Sequence, residues 1–254
     1  MRRATMLIAL LGASAQAADA NPAVSAFARA LRTEARGVAE VSVFFPPRAN
    51  PTRTAAVLPN VSVYAGLLRR NFEVNVGGVE RVAGRDATRL TLTPKVGDAA
   101  RWTVWVDRAW NVPLAFEERS ADGTLARRAA LQQVSGVRAR SRAAPVRPEG
   151  LRRAVLAAVP GLACPAGFEP VAVSVSGRGT EVQLSDGLNT LVLVLATRNV
   201  QTAPGVAARR VRAGAFVWLI GNLPARALSA ALTGVRDVRP DALGTFVAPP
   251  PSKE

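Results

Sequence analysis

Between residues 72 and 134, short runs of alternating apolar and polar residues are punctuated by turn-forming residues, and nothing else in the chain constrains the fold as tightly. Phe72, Val74 and Val76 share one face, and Gly77-Gly78 reads as a hairpin turn. Residues 79–82 precede Gly84, and residues 88–93 precede the breaker stretch 94–98. Runs at 102–106, 112–116 and 125–134 follow, separated by 107–111 and 121–123. Short connections between alternating strands imply an antiparallel meander. Leu90, Leu92, Trp102, Val104, Val106, Leu114 and Phe116 then fall on one face, and Arg89, Thr91, Thr93, Arg101 and Thr103 on the other.

A sheet with one apolar face needs a cover. Asn21-Pro22 reads as an N-cap followed by proline in the first turn, and Val24, Phe27, Ala28, Leu31 and Ala35 recur at helical spacing until Gly37. A helix is therefore expected over 22–36 and a shorter one over 64–70, with a half-buried strand over 38–45 that the proline-rich stretch 46–51 ends. The space between these helices and the sheet is either packed core or a lipid-sized cavity. In the second case the seven apolar residues of that face, Leu90 to Phe116, are the candidate lipid-binding residues.

Residues 136–149 have the proline, serine and arginine content of an exposed linker, so a domain boundary is expected there. Beyond it lie a helix at 151–159, strand-like runs at 171–175, 181–184, 188–195 and 215–220, and a helix from Pro224 to Leu232. The expected organisation is a first domain over 18–137, a linker over 138–149, a small α+β domain over 150–247 and a disordered tail over 248–254.

Met1-Arg2-Arg3, an apolar run of roughly ten residues and Ala15-Gln16-Ala17 have the order of a cleavable secretory signal over 1–17. The run falls well short of the roughly twenty residues that a stable membrane span needs. The chain is expected to act outside the cytoplasm, in the periplasm or cell envelope, away from nucleic acid. Its formal net charge of +15 favours anionic partners by long-range attraction. Lys95 and Lys253 are the only lysines, so the basic surface is almost wholly arginine, which also fits a GC-rich genome.

Histidine is absent, which removes Ser-His and Cys-His nucleophile pairs and every zinc site that needs histidine. The single cysteine, Cys164, rules out an internal disulfide and reads as a small apolar residue. No phosphate-cradling glycine loop, nucleophile elbow or spaced carboxylate pair is present. No catalytic residue, metal ligand or cofactor is expected, and binding is the function left.

The segment Val79-Glu-Arg-Val-Ala-Gly-Arg-Asp-Ala-Thr-Arg-Leu-Thr-Leu-Thr-Pro-Lys95 resembles the RseB/MucB family of periplasmic sigma-factor regulators, in which "ERVAGR" leads into a strand ending in "PK" or "PR". Arg101-Trp-Thr-Val-Trp-Val-Asp107, Val112-Pro113-Leu114 and Ala121-Asp-Gly-Thr-Leu125 are similar to its next steps. Cys164-Pro-Ala-Gly-Phe168 and Leu184-Ser-Asp-Gly-Leu188 resemble its "LPxGF" and "YSDGL", with Leu184 in place of the tyrosine. The resemblance implies an α+β chain: an open antiparallel half-barrel like the lipoprotein carrier LolA, closed by a helical lid, then a small C-terminal α+β domain. It implies binding to the periplasmic segment of a membrane anti-sigma factor, or a related envelope protein, with a response to lipid. The segment between the first helix and Glu80 is shorter than the family's, which implies fewer early strands. A periplasmic lipid or lipoprotein carrier is the alternative function, since the same fold serves both.

A partner-binding cluster is expected at the domain junction from Arg138, Arg140, Arg142, Arg147, Arg152 and Arg153, joined by Arg209, Arg210 and Arg212. The partner would then be an extended, acidic protein segment.

Overall fold

A computed structural model describes residues 21–177, 179–199 and 203–247; the leader over 1–17 and the tail over 248–254 lie outside the described residues. Asn21 caps α1 (Pro22–Ala30) by accepting the Val24 amide at 3.1 Å. The helix stops well before Gly37, because β1 (Thr33–Val43) already pairs with β7 (Leu125–Ala139) from Thr33 onward. Pairing along the whole strand overrides the helical spacing of Ala35. Gly37 has a different role from a helix stop. It lies against β7, where a Cβ would sit 1.9 Å from the Gln133 carbonyl oxygen.

Among the described residues, seven strands form one antiparallel sheet in the order β2-β1-β7-β6-β5-β4-β3. The remaining members are β2 (Thr52–Val57), β3 (Phe72–Val82), β4 (Arg85–Pro94), β5 (Arg101–Asp107) and β6 (Pro113–Arg119), with α2 (Ala65–Asn71) between β2 and β3. Strands β3 to β7 are the expected meander, and β1 adds beside its last strand. The sheet is open, with β2 and β3 at its edges. Gly77-Gly78 is not a hairpin turn: it forms a bulge between Val76 and Val79 within the single strand β3. The reversal comes at Ala83-Gly84, both at positive φ (50° and 78°), as a two-residue type I′ turn requires.

The second sheet has the order β11-β12-β10-β9-β8. Its strands are β8 (Glu169–Ser176), β9 (Gly179–Ser185), β10 (Thr190–Ala196), β11 (Val206–Arg210) and β12 (Phe216–Ile220). Helices α3 (Leu151–Ala158) and α4 (Ala225–Leu232) and a 3-10 segment (Pro240–Phe246) cover one face, packing Leu151, Val155, Leu228, Leu232 and Leu243 on Leu191, Leu193, Val217 and Leu219. Strand pairing continues past the point where the linker was expected to begin. β7 runs through Arg138 to Ala139, paired with Glu34 and Thr33, and the Arg140 and Arg142 amides then bond back to the Arg32 and Leu31 carbonyls.

Each sheet contributes a residue to the other's core. Leu188, from the loop before β10, packs among Phe27, Leu68, Leu92 and Trp102 of the first domain. Ala99, from the loop before β5, packs among the apolar residues of the second. The two sheets, with the helices on them, are therefore joined by shared packing.

Candidate binding groove between the domains

The face that carries the candidate lipid-binding residues is buried. Leu90, Leu92, Trp102, Val104, Val106 and Phe116 are all buried in one cluster under Ala23, Val24, Phe27 and Leu68 of α1 and α2. Leu114 is equally buried, in the adjoining cluster with Ala35, Ala39, Val112 and Leu131. Where the cover meets the sheet, Phe27, Leu31, Val57, Leu58, Val61 and Phe116 line a cavity of about 60 Å³, with Arg140 at its polar side. That holds about two water molecules, whereas ligand pockets run to about 300–1,000 Å³.

A larger space, about 730 Å³, lies between the domains. One wall belongs to the first sheet and its connections: Val43, the β1–β2 connection with Phe45, Pro46, Pro47 and Arg48, and Val61, Glu118 and Arg127. The opposite wall is the outer face of the second sheet, with Val192 of β10, Val206 of β11 and Ile220 of β12. Val192 and Ile220 pack against a buried cluster with Val194, Phe216 and Trp218. Period-two alternation explains the placement: Leu191, Leu193 and Leu219 point to the helices, so Val192, Val194, Trp218 and Ile220 point away from them.

Arg127 bonds through Nε to buried Glu118, and Glu118 also accepts from the Asn222 amide at 2.7 Å. Ser120 donates to Asn222 Oδ1 at 2.7 Å, so this network joins β6 to the end of β12. Phe45 lies over Gly205, where a Cβ would meet the ring at 2.0 Å. Arg48 is exposed at the rim and makes no ion pair among the described residues.

Leu188 and Asn189 line the groove as part of a loop, residues 185–189, that reads Ser-Asp-Gly-Leu-Asn. Asp186 Oδ1 accepts the Leu188 and Asn189 amides at 3.0 and 2.8 Å, forming a tight local turn. Asn189 then holds three groups at once. Its Nδ2 donates to Asp186 Oδ2 and to the Ala100 carbonyl, and its Oδ1 accepts the Trp102 indole N–H at 2.8 Å. Across from it, Asn71 Nδ2 donates to the Asp186 and Gly167 carbonyls, both at 2.8 Å. Burial pushes the Asp186 carboxyl up to about 6, against the lowering effect of the Asn189 side chain and the two amides.

The nine candidate arginines do not form one cluster. Arg140 pairs with Glu34 at 3.2 Å at the first domain's edge, with Arg138 and Arg142 exposed nearby along the chain. Arg147 pairs with Glu169, which Arg70 also holds, and Arg147 and Arg152 share one surface depression while Arg152 and Arg153 share another. Arg209 donates to the Val235 carbonyl at 2.6 Å, Arg210 is exposed, and the Arg212 amide bonds to Arg236. None of the nine lines the interdomain groove. The groove residues were detectable in one respect: the uninterrupted apolar run of β10 signals a strand covered on both faces.

Burial pushes the Cys164 thiol up, despite the opposing pull of Arg152, which disfavours its thiolate. Among the described residues no group of three His, Cys, Asp or Glu could hold a metal ion. No described helix is long and apolar enough to cross a membrane.

No family profile and no curated protein sequence matches the chain. Solved structures do. The crystal structure of MucB superimposes with a TM-score of 0.55 at 15% identity, covering 84% of this chain and 94% of that one. The fold is that of MucB. The complex of Pseudomonas aeruginosa MucA/MucB gives a TM-score of 0.60 at 14% identity, covering 86% and 98%. MucB in complex with MucA(peri) gives 0.54 at 14%, covering 85% and 97%. The likeness to MucB extends over most of the chain, 84–86% of it.

Proposed function

We propose that the chain is an exported, non-enzymatic regulator that holds an extended segment of a membrane anti-sigma factor, or a related envelope protein, in the groove between its domains. The observation that carries this reading is the groove itself: about 730 Å³, built from both domains, with an apolar wall of Val192, Val206 and Ile220 and charged groups at its margins. Extended segments are captured by such apolar surfaces with charge complementarity at the rim. The MucB fold, solved twice with MucA bound, supports it, as does the resemblance of residues 79–95 to the RseB/MucB family. The scattered arginines would then steer an acidic partner by their summed field and make capture salt-sensitive.

The half-barrel architecture with a helical lid is retained in this reading, with the lid as a structural cover. Lipid carriage is the weaker alternative, because the face it needs is filled by Leu90, Leu92, Trp102 and Val104.

The test is capture of the periplasmic segment of a single-span anti-sigma factor by the full mature chain. Ile220→Asp puts a carboxylate on the groove wall and should weaken capture by about 2 kcal/mol, roughly thirtyfold. Arg152→Glu with Arg153→Glu should lower the salt dependence and leave high-salt capture unchanged. Full-chain variants are needed because a fragment ending at residue 137 would lose Leu188 from its core. Unchanged capture by Ile220→Asp would move the binding site elsewhere.

A further inference from the structure

Basic side chains from segments far apart in the sequence meet on one surface away from the groove. Lys95, just after β4, donates through Nζ to the Arg69 carbonyl at the end of α2. Arg70, the next residue, pairs with Glu169 of β8, and Arg147 of the connecting segment pairs with the same carboxylate. Arg147 and Glu169 line a surface depression together with Arg152 in the first turn of α3, and a second depression shares Arg152 and adds Arg153. The acids lining these depressions are Glu149 and Glu169, so six cations stand against two carboxylates. Arg69, Lys95, Arg152 and Arg153 are exposed and make no ion pair among the described residues. None of the six lines the groove.

Two apolar side chains stand in solvent among these cations. Val146, immediately before Arg147, is 81% exposed, and Val96, immediately after Lys95, is 52% exposed. The surface lies where the β3–β4 side of the first sheet meets β8, an edge of the second, and the opposite edges are β2 and β11. Packing does not account for cations gathered in this way, since they stand in water and repel one another. An acidic protein segment would relieve the repulsion but would leave the exposed valines without a role. A bilayer offers both partners at once: anionic headgroups for the cations, and the boundary with the acyl chains for the valines.

We propose that this surface docks the protein on an anionic phospholipid bilayer, with Arg69, Arg70, Lys95, Arg147, Arg152 and Arg153 on the headgroups and Val146 and Val96 entering the boundary beneath them. Each exposed cation near such a surface strengthens attachment roughly fivefold, and salt screens the effect. The groove stays free, because its walls share no residue with the docking surface. Docking therefore holds whatever the groove captures.

The test is sedimentation of the full mature chain, without any protein partner, with vesicles of phosphatidylcholine containing about one-third phosphatidylglycerol and with vesicles of phosphatidylcholine alone. Salt-sensitive binding to the first and none to the second is expected. Arg152→Gln with Arg153→Gln should weaken binding about 25-fold. Arg53→Gln with Arg210→Gln removes the same charge from the opposite edges β2 and β11, and should weaken it less than about threefold. Val146→Ser should weaken it about threefold through lost apolar insertion. All these side chains are exposed, so the substitutions leave the cores intact. Equal losses from the two arginine pairs would reduce the effect to net charge and overturn the docking surface, as would absent binding or equal binding to neutral vesicles. Capture of polyglutamate as tight as that of the anionic vesicles, with Val146→Ser unchanged, would make the surface a site for acidic protein instead.

Discussion

Trp102 donates its indole N–H to Asn189 Oδ1 at 2.8 Å, joining the largest fully buried side chain of the first domain to a loop of the second. Asn189→Ala leaves that N–H and the Ala100 carbonyl buried without partners. A loss of about 2–3 kcal/mol is expected in denaturant unfolding of the full chain. Trp102→Phe keeps most of the packing but removes the donor, and should cost less. The double variant should show a coupling energy of about 0.5–1.5 kcal/mol. Strict additivity would mean that the hydrogen bond contributes nothing.

Asp107 titrates in the opposite sense to Asp186. Burial alone would raise its carboxyl, but the Arg85 side chain and the Trp110 and Ala109 amides outweigh it and hold the group below the usual range. Arg85 Nε donates to Asp107 Oδ2 at 2.5 Å while its guanidinium stacks on Trp110 at 3.4 Å. A depressed value means stability that is present above the ordinary 3.8 and lost as pH falls through the lowered value. Thermal midpoints should therefore drop steeply below about pH 4 in wild type, and Asp107→Asn should be less stable at pH 7 by about 1.5–3 kcal/mol with a shallower acid limb. An unchanged acid limb in the variant would remove Asp107 from acid unfolding.

Gly205 tests the outer end of the groove. A Cβ at this position meets the Phe45 ring at 2.0 Å, and the residue sits at φ 77°. Gly205→Ala should cost about 1–2 kcal/mol from the backbone alone. It should also push Phe45 off the groove wall and speed proteolysis in the β1–β2 connection. Unaltered cleavage there would show that Phe45 finds another seat.

The parts of this structure that were legible in the sequence are those where one physical signal dominates. β4 and β5 alternate strictly, so Leu90, Leu92, Trp102 and Val104 could be placed on one face, and they are buried together. The strands β2 and β11 were missed because both are sheet edges with the sequences Thr-Arg-Thr-Ala-Ala-Val and Val-Ala-Ala-Arg-Arg, where small and charged residues leave no apolar stripe. Gly77-Gly78 carries the chemistry of a turn, yet the chain passes straight through it, because the neighbouring strand β4 supplies partners on both sides of the bulge. The groove was the hardest part to foresee. Its walls come from residues 43–62, 118–127, 188–192 and 203–222, and contacts distant in sequence, such as Leu188 in the opposite core and Asn222 on Glu118, bring those segments together. Charge, by contrast, is visible in any sequence, and the arginines it singled out turned out to be dispersed over three places.

The last prediction separates a packed face from a carrier's cavity. Leu92 is fully buried among Phe27, Leu68 and Trp102, and the space nearby under the cover is about 60 Å³. If the face is core, Leu92→Ala removes close contacts and leaves a void, costing about 2–5 kcal/mol in unfolding without altering any ligand. If the face is a lipid seat, the purified wild-type protein should carry acyl chains in native mass spectrometry, and the truncation should enlarge the seat at little cost to stability. The expected result is a destabilised variant and a wild-type mass with no bound lipid. A co-purifying acyl chain, with Leu92→Ala close to wild-type stability, would mean that α1 and α2 move aside to admit a ligand, and would restore carriage as the function of the first domain.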